Sequence, residues 1–336
     1  MKVVAGKYRG KNLKSPVDDR IRPTTTRIKE TLFNVLQGYV QDSEVLDLFA
    51  GSGALGIECL SRGAKEVTFV DKSRDSINLV YENLRGIDGD FKVVNGDYAY
   101  ALRNAYTRGK KYDLIFLDPP YASDCAEMAI SLIIDLDLLA EDGIIIFEHG
   151  AEKTYKLDDK TFKQRTKKMG TVIAEFISRK KIALMTGSFD PFTRGHEAVL
   201  DECLEYFDEV YVACLVNPDK TYFFNAAQRL KIVETVCEYK KGAHAIYSTD
   251  YAVDVAKRVG ANVIVRGVRN DDDMRYEEDM AAYNRAHGVE TEFVRLDCFR
   301  EISSTRVRDE IGEGNFKNLP ACVIPLLTSK EFEQLK

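Results

Sequence analysis

Short runs rich in Val, Ile, Leu and Phe alternate along this chain with segments of helical spacing, and the alternation runs through once and then starts again. Such alternation is the pattern of a parallel-sheet α/β domain, because each helix has to return the chain to the same edge of the sheet. In the first pass, strands are expected at Val45–Phe49, Glu66–Asp71, Lys92–Asn95, Asp113–Asp118, Gly143–Glu148 and Thr171–Ser178. Helices are expected near Arg27–Gln37, Arg74–Leu84 and Cys125–Ile134. The second pass gives strands at Lys181–Met185, Glu209–Val216, Ala245–Ser248, Asn262–Arg266 and Glu290–Leu296. Helices near Gly195–Tyr206, Ala226–Glu238, Ala252–Val259 and Met274–His287 lie between them. The join falls at Ser178–Lys181 without a Gly/Ser/Pro-rich linker, so the fold class expected is α/β, with two parallel-sheet, Rossmann-like domains over residues 1–179 and 180–336. A chain of 336 residues with 45% hydrophobic composition has enough apolar surface for two such cores.

Charge separates the halves. Residues 1–179 hold 27 Lys+Arg against 27 Asp+Glu, and residues 180–336 hold 21 against 27, which is the whole net charge of −6. Within the neutral half, residues 1–30 carry nine basic residues against three acidic ones, the balance of a phosphate-contacting arm or of a solvated basic terminus. Seven cysteines without a Cys-x-x-Cys pair read as reduced packing residues, and a zinc site is not expected. No apolar run has the length of a membrane span and no signal peptide is apparent, so a soluble cytoplasmic protein with no membrane partner is expected.

Two motifs carry chemistry. In the first half, Gly51-Ser-Gly53-Ala-Leu-Gly56 follows a strand and Asp71 lies about twenty residues on, the spacing of a nucleotide-cofactor loop and its ribose-binding acid. Nicotinamide enzymes use the same device, so the loop alone leaves the cofactor open. Asp118-Pro-Pro-Tyr121, at the end of the strand starting at Asp113, narrows it. An exocyclic amine on a base needs acceptors to orient its lone pair toward a methyl sulfonium. Asp118 and the Pro119 carbonyl supply them, and Tyr121 offers a stacking face for a base taken out of its helix. Methyl transfer from S-adenosylmethionine to a base amine is therefore expected, with guanine and adenine both open at this point.

In the second half, Gly187-Ser-Phe-Asp-Pro-Phe-Thr-Arg-Gly-His196 follows a strand. The Thr-x-Gly-His form suits nucleotidyl transfer, in which an incoming phosphate attacks the α-phosphate of ATP and the protein aligns the two and stabilises negative charge. His196 is placed to donate to that phosphate. Ile302-Ser-Ser-Thr-Arg306 sets hydroxyls ahead of a helix, either for phosphate or as a plain N-cap. Arg266 and Arg269 add two guanidiniums at the end of a strand. Magnesium is expected to accompany ATP.

The first half resembles the bacterial small-subunit (16S) rRNA guanine-N2 methyltransferases. The likeness extends past the glycine loop and Asp118-Pro-Pro-Tyr121 to Val4-Ala-Gly-Lys-Tyr-Arg-Gly-Lys-Asn-Leu13 and Arg22-Pro-Thr-Thr-Thr-Arg-Ile-Lys-Glu-Thr-Leu-Phe-Asn34. It implies a class I methyltransferase fold whose S-adenosylmethionine site is lined by Asp47, Gly51, Gly53, Asp71 and Asp97. It implies a target guanine held by Asp118, Pro119 and Tyr121, and an arm with Lys7, Arg9, Arg22 and Arg27 facing 16S rRNA or the small ribosomal subunit. A DNA adenine-N6 methyltransferase and an rRNA-binding module without turnover are the alternatives.

The second half resembles phosphopantetheine adenylyltransferases, which make dephospho-coenzyme A and pyrophosphate from ATP and 4′-phosphopantetheine. The distinctive stretch is Arg266-Gly-Val-Arg269 followed by Tyr276-Glu-Glu-Asp-Met-Ala-Ala-Tyr-Asn-Arg285, with Lys220 after Asn217-Pro-Asp. The resemblance implies Ser188 and Lys220 at the acceptor phosphate, His196 and Arg269 at ATP's phosphates, and Arg266 at phosphopantetheine. Phe189 and Glu277 belong to the same substrate set, and Ser303, Ser304, Thr305 and Arg306 close on the nucleotide. It also implies a homo-oligomer, hexameric in that family. Asp271-Asp-Asp273 is more acidic than the pattern, Met185 replaces a frequent aromatic, and a nicotinate-nucleotide-type adenylyltransferase is the alternative.

Overall fold

A computed structural model describes the chain except residues 16–25, 120–124, 152–153, 158–159, 218–219, 270, 296–300 and 335–336. Arg22, Thr25 and Tyr121 therefore lie outside the described residues. The chain divides into two compact units, Met1–Arg179 and Lys180–Lys336.

The first unit runs α1 (Thr26–Val35), β1 (Glu44–Asp47), α2 (Ala54–Ser61), β2 (Glu66–Asp71), α3 (Arg74–Leu84), β3 (Asp90–Asn95) and α4 (Tyr98–Thr107). It continues with β4 (Tyr112–Leu117), α5 (Cys125–Asp135), β5 (Leu139–Gly150), β6 (Phe162–Met169) and β7 (Val172–Arg179). The sheet order is β3-β2-β1-β4-β5-β7-β6. Five strands are parallel, whereas β7 runs antiparallel to β5 and β6 antiparallel to β7. The expected parallel sheet thus acquires an antiparallel edge hairpin. Strand β6 was not foreseen because Phe-Lys-Gln-Arg-Thr-Lys-Lys-Met reads as a solvated charge run, and charge of this kind is what protects an edge strand from further pairing.

Helices α2 and α4 were also missed. All eight residues of α2 are buried, so it carries no polar stripe to betray a helical period. Its Glu58 is fully buried and accepts from Val4 N (2.8 Å) and Ala5 N (2.9 Å), and it pairs with Lys29 Nζ (3.0 Å) and Arg62 Nε (2.9 Å). The N-terminal segment is thereby fastened to the domain. Gly6 (φ 81°) must be glycine there, since a Cβ would sit 1.8 Å from the Ser61 carbonyl oxygen.

The second unit runs β8 (Ile182–Gly187), α6 (Arg194–Tyr206), β9 (Glu209–Leu215), α7 (Ala226–Glu238), β10 (Ala243–Ser248), α8 (Ala252–Val259) and β11 (Val263–Val268). The rest is α9 (Asp271–Ala286), β12 (Glu290–Arg295), α10 (Ser304–Gly312), α11 (Val323–Leu327) and α12 (Lys330–Gln334). Its sheet is wholly parallel, in the order β10-β9-β8-β11-β12. Strand β8 is buried on both faces, with Ala183, Met185, Val210 and Val265 in one core and Leu184, Ala213 and Ile264 in the other. Both sheets reverse their order beside the first strand, at β1/β4 and at β8/β11. Such a switch point opens a crevice beyond the strand ends, which is where both motifs fall.

Two candidate active sites at the strand ends

At the first switch point, β1 ends in Asp47 and the glycine loop turns into α2. Gly51 (φ 53°) and Gly53 (φ 75°) are left-handed, a conformation that costs glycine nothing. Gly51 N donates to Asp71 Oδ2 (2.9 Å) and Ser73 N to Asp71 Oδ1 (2.8 Å), so the acid at the end of β2 braces two loops while each oxygen keeps a lone pair. Gly56 has another purpose: a Cβ would lie 2.3 Å from the Phe69 ring, so its absence lets helix and sheet close together. Asp47, expected at the cofactor, is only 3% exposed and accepts from Gly56 N (3.0 Å). Its carboxyl is pushed up to about 7 by burial, then by the charges of Asp118 and Asp71, against the Gly56 N–H. That is a loop-bracing position. Asp97 is exposed and caps α4, accepting from Ala99 N (2.8 Å).

Asp118 is half-buried and Pro119 buried, immediately beyond β4. Burial and the charges of Asp118 and Asp47 hold the Glu148 carboxyl well above the usual range, so this edge gathers negative charge from β1, β4 and β5. The basic arm is more engaged than its composition implied. Lys7 pairs with Asp88 (2.9 Å), Lys14 with Glu82 (2.9 Å), and Lys29 is buried against Glu58. Arg9 and Arg27 are exposed. Exposed pairs such as Lys7–Asp88 contribute little stability, so that lysine can exchange its carboxylate for a phosphate at small cost.

At the second switch point, a cavity of about 360 Å³ is lined by Thr186, Ser188, His196, Arg269, Glu277 and Ser303, among others. His196 is held by a capping box at the start of α6: Thr193 N donates to His196 Nδ1 (3.0 Å), while the Thr193 hydroxyl takes the His196 backbone N–H. With Nδ1 accepting, the neutral ring carries its proton on Nε2. Burial, then Arg269 and Arg266, lowers this imidazole to about 4, so it is neutral near pH 7. Its ring meets Phe189 edge-on at 5.2 Å. Phe189 itself is 1% exposed and is not among the lining residues, so its ring is the wall behind His196. Gly187 makes room for that ring, since a Cβ would fall 2.8 Å from it.

Arg266 lines the cavity but is largely spent. Nε and Nη2 donate to Glu277 (2.8 and 2.5 Å), and Nη1 donates to Thr186 O and Oγ1 (2.9 and 2.7 Å). This makes it a fixed part of the wall, and Arg269, just beyond β11, lines the same cavity. Ser303 is the N-cap of α10, accepting from Arg306 N (3.2 Å), and with Ser304 and Thr305 it also lines the cavity, so cap and lining coincide. Arg306 turns to Glu310 (3.1 Å), and neither it nor exposed Lys220 is among the lining residues.

Sequence reasoning passed over Asp190, which accepts from Phe223 N and Phe224 N (both 2.8 Å), and Arg229, 1% exposed, which donates to Ser188 O (2.7 Å) and lies 3.8 Å over the Tyr222 ring. Charged residues inside otherwise apolar stretches were the available signal. Among the described residues no group of three or more His, Cys, Asp or Glu is placed to hold a metal, and no helix is long and apolar enough to cross a membrane.

The family model described as conserved hypothetical protein 95 matches residues 1–178, more than half of the chain. The chain belongs to that family. A second model, described as cytidylyltransferase-like, matches residues 184–310. Ribosomal RNA small subunit methyltransferase D of Haemophilus influenzae is 38% identical over 156 residues, covering 46% of this chain and 80% of its own. Its namesake from Escherichia coli K12 is 36% identical over 153 residues (45% and 76%). Phosphopantetheine adenylyltransferase of Streptococcus gordonii is 37% identical over 158 residues, covering 46% of this chain and 94% of its own. The methyltransferase relatives match the first half and the adenylyltransferase relatives the second, so this member of the conserved hypothetical protein 95 family is a fusion of two enzyme domains.

Proposed function

We propose that the chain is a bifunctional enzyme: its first unit methylates the exocyclic N2 of a guanine in small-subunit rRNA, and its second transfers adenylyl from ATP to 4′-phosphopantetheine. What carries the first reading is Asp118-Pro119 at the end of β4, beside a loop whose left-handed Gly51 and Gly53 and braced Asp71 fit S-adenosylmethionine. Bound there, that cosubstrate supplies an electrophilic methyl sulfonium. Asp118 and the Pro119 carbonyl accept from the amine, aim its lone pair, and Asp118 receives the proton released on methylation. Exposed Arg9 and Arg27, with Lys7, steer the RNA backbone.

What carries the second reading is neutral His196, with Nε2–H free of the capping box, on a cavity shared with Arg269 and the first turn of α10. Nε2–H donates to the α-phosphate as negative charge grows there, Arg269 pairs with the leaving phosphates, and N–H groups of α10 add a favourable dipole. Magnesium enters with ATP. The cytoplasm supplies both substrates, and self-association through the second unit belongs to the same reading.

The test is incubation with labelled S-adenosylmethionine and, separately, unmethylated small subunits, naked rRNA and DNA, followed by nucleoside identification. N2-methylguanosine from RNA is expected. N6-methyladenine in DNA, or no label at all, overturns the first half. Dephospho-coenzyme A formed from ATP and phosphopantetheine is expected in a parallel assay, and adenylylation of a nicotinate nucleotide instead overturns the second.

A further inference from the structure

The chemistry above leaves Glu148 without a task. Its residue is 3% exposed, and its Oε1 has no hydrogen-bond partner among the described residues. A buried carboxyl oxygen without a donor is costly, and such groups call for an explanation. Its place in the sheet is specific. Glu148 directly follows Phe147, which pairs with Leu117, and Asp118 directly follows Leu117. Strand alternation from Ile146 and Phe116, which share one core with Leu32 and Phe33 of α1, carries both carboxyls to the same face. Asp47 is in register with Phe116 and belongs to that face as well. The charge of Asp118 is felt at Glu148 next after burial, as expected for neighbours.

An acceptor beside the amine-holding carboxylate is suited to a ligand that brings a second N–H next to its amine. Guanine does so: ring N1–H adjoins the N2 amine. Adenine does not, because the ring N1 beside its N6 amine is itself an acceptor. We propose that Glu148 is a base-reading residue of the methyl-transfer site, its Oε1 accepting the ring N1–H of a guanine whose N2 amine lies at Asp118. The inference rests on the guanine reading above and supplies a reason for it. Either protonation state of Glu148 leaves a lone pair for N1–H, and a protonated acid adds an O–H directed at the adjoining O6.

The probe is 2-aminopurine, which keeps the amine of guanine but replaces N1–H by a bare ring nitrogen and lacks O6. Ligated rRNA carrying guanine or 2-aminopurine at the mapped methylation site is methylated by the full-length chain, and kcat/KM is compared. The wild type prefers guanine by ~10–100-fold, the cost of leaving one buried acceptor unmet. Glu148→Leu brings that ratio close to 1. Glu148→Asp, which keeps the carboxyl but withdraws the acceptor by a methylene, lowers it by about tenfold and serves if the leucine variant does not fold. A wild-type ratio near 1, or equal losses on both substrates in the variants, overturns the proposal while N2-methylguanosine formation leaves the guanine reading standing. Wild-type methylation of adenine, or of nothing, removes that reading itself.

Discussion

The two sites occupy corresponding places, each at the switch point beside the first strand of its sheet, and are built with opposite charge. At the ends of β1, β4 and β5 stand Asp47, Asp118 and Glu148, and burial first, then neighbouring carboxylates (Asp118 and Asp71 at Asp47, Asp118 and Asp47 at Glu148), raises the carboxyls of Asp47 and Glu148. Around the ends of β8 and β11 stand His196, Arg266 and Arg269, and burial with the two guanidiniums lowers the imidazole. The difference follows what each reaction brings. A sulfonium and a base amine call for acceptors, whereas a triphosphate calls for donors. A parallel sheet supplies the crevice, and the residue at each strand end supplies its sign.

Each site is expected to work without the other. His196→Ala is expected to cut adenylyl transfer by ~10²–10³-fold and leave methyl transfer intact. Asp118→Ala is expected to do the reverse, by ~10²–10³-fold. Steady-state assays of both reactions on each variant decide it, and loss of both activities in either variant counts against separate sites. A smaller effect is expected at Glu277→Gln, which removes the charge opposite Arg266 while keeping a hydrogen-bonding side chain. A guanidinium released to the cavity should change KM for substrates by about tenfold with little change in methylation; an unchanged KM would show that Arg266 remains tied to Thr186.

The pH dependences should run in opposite senses. For His196 the native value, about 4, lies below the ordinary 6.5, so the native ring binds fewer protons than the unfolded one across that window. Adenylyl transfer should therefore show no acid limb near 6.5 from this residue. Arg269→Gln removes a cation beside it and should move the limb upward, which a kcat/KM profile from pH 4.5 to 8 would detect. For Asp47 the native value, about 7, lies above the ordinary 3.8. The native state then keeps a proton that the unfolded chain has lost, so stability is greatest at the acid end and falls as pH rises from about 4 to 7. Asp47→Asn should flatten this slope in thermal unfolding followed from pH 5 to 7.5; an unaltered slope would place its origin elsewhere.

Much of this was legible in the chain because strand-end motifs are local. Gly51-Ser-Gly53 announces a left-handed turn, and Thr193-Arg-Gly-His196 announces a capping box that orients its own histidine. Helices α7 and α8 match the bounds read from their periodicity, since each has one apolar stripe. Helix α2 could not be read that way, being buried all round, nor could β6, whose lysines mask its alternation.

The alternation of strand and helix, the two switch-point loops and the residue types at their tips follow from the chain alone, because these depend on period and on backbone freedom over a few residues. Which side chains are engaged within the fold and which face a site follows from packing across the sheets. Arg266 is bound to Glu277 and Thr186, Phe189 is a wall, Asp47 is a brace, and Glu148 stands beside Asp118 although thirty residues separate them. Those outcomes depend on strand register and burial, which bring together groups far apart in the chain and fix how much water each retains.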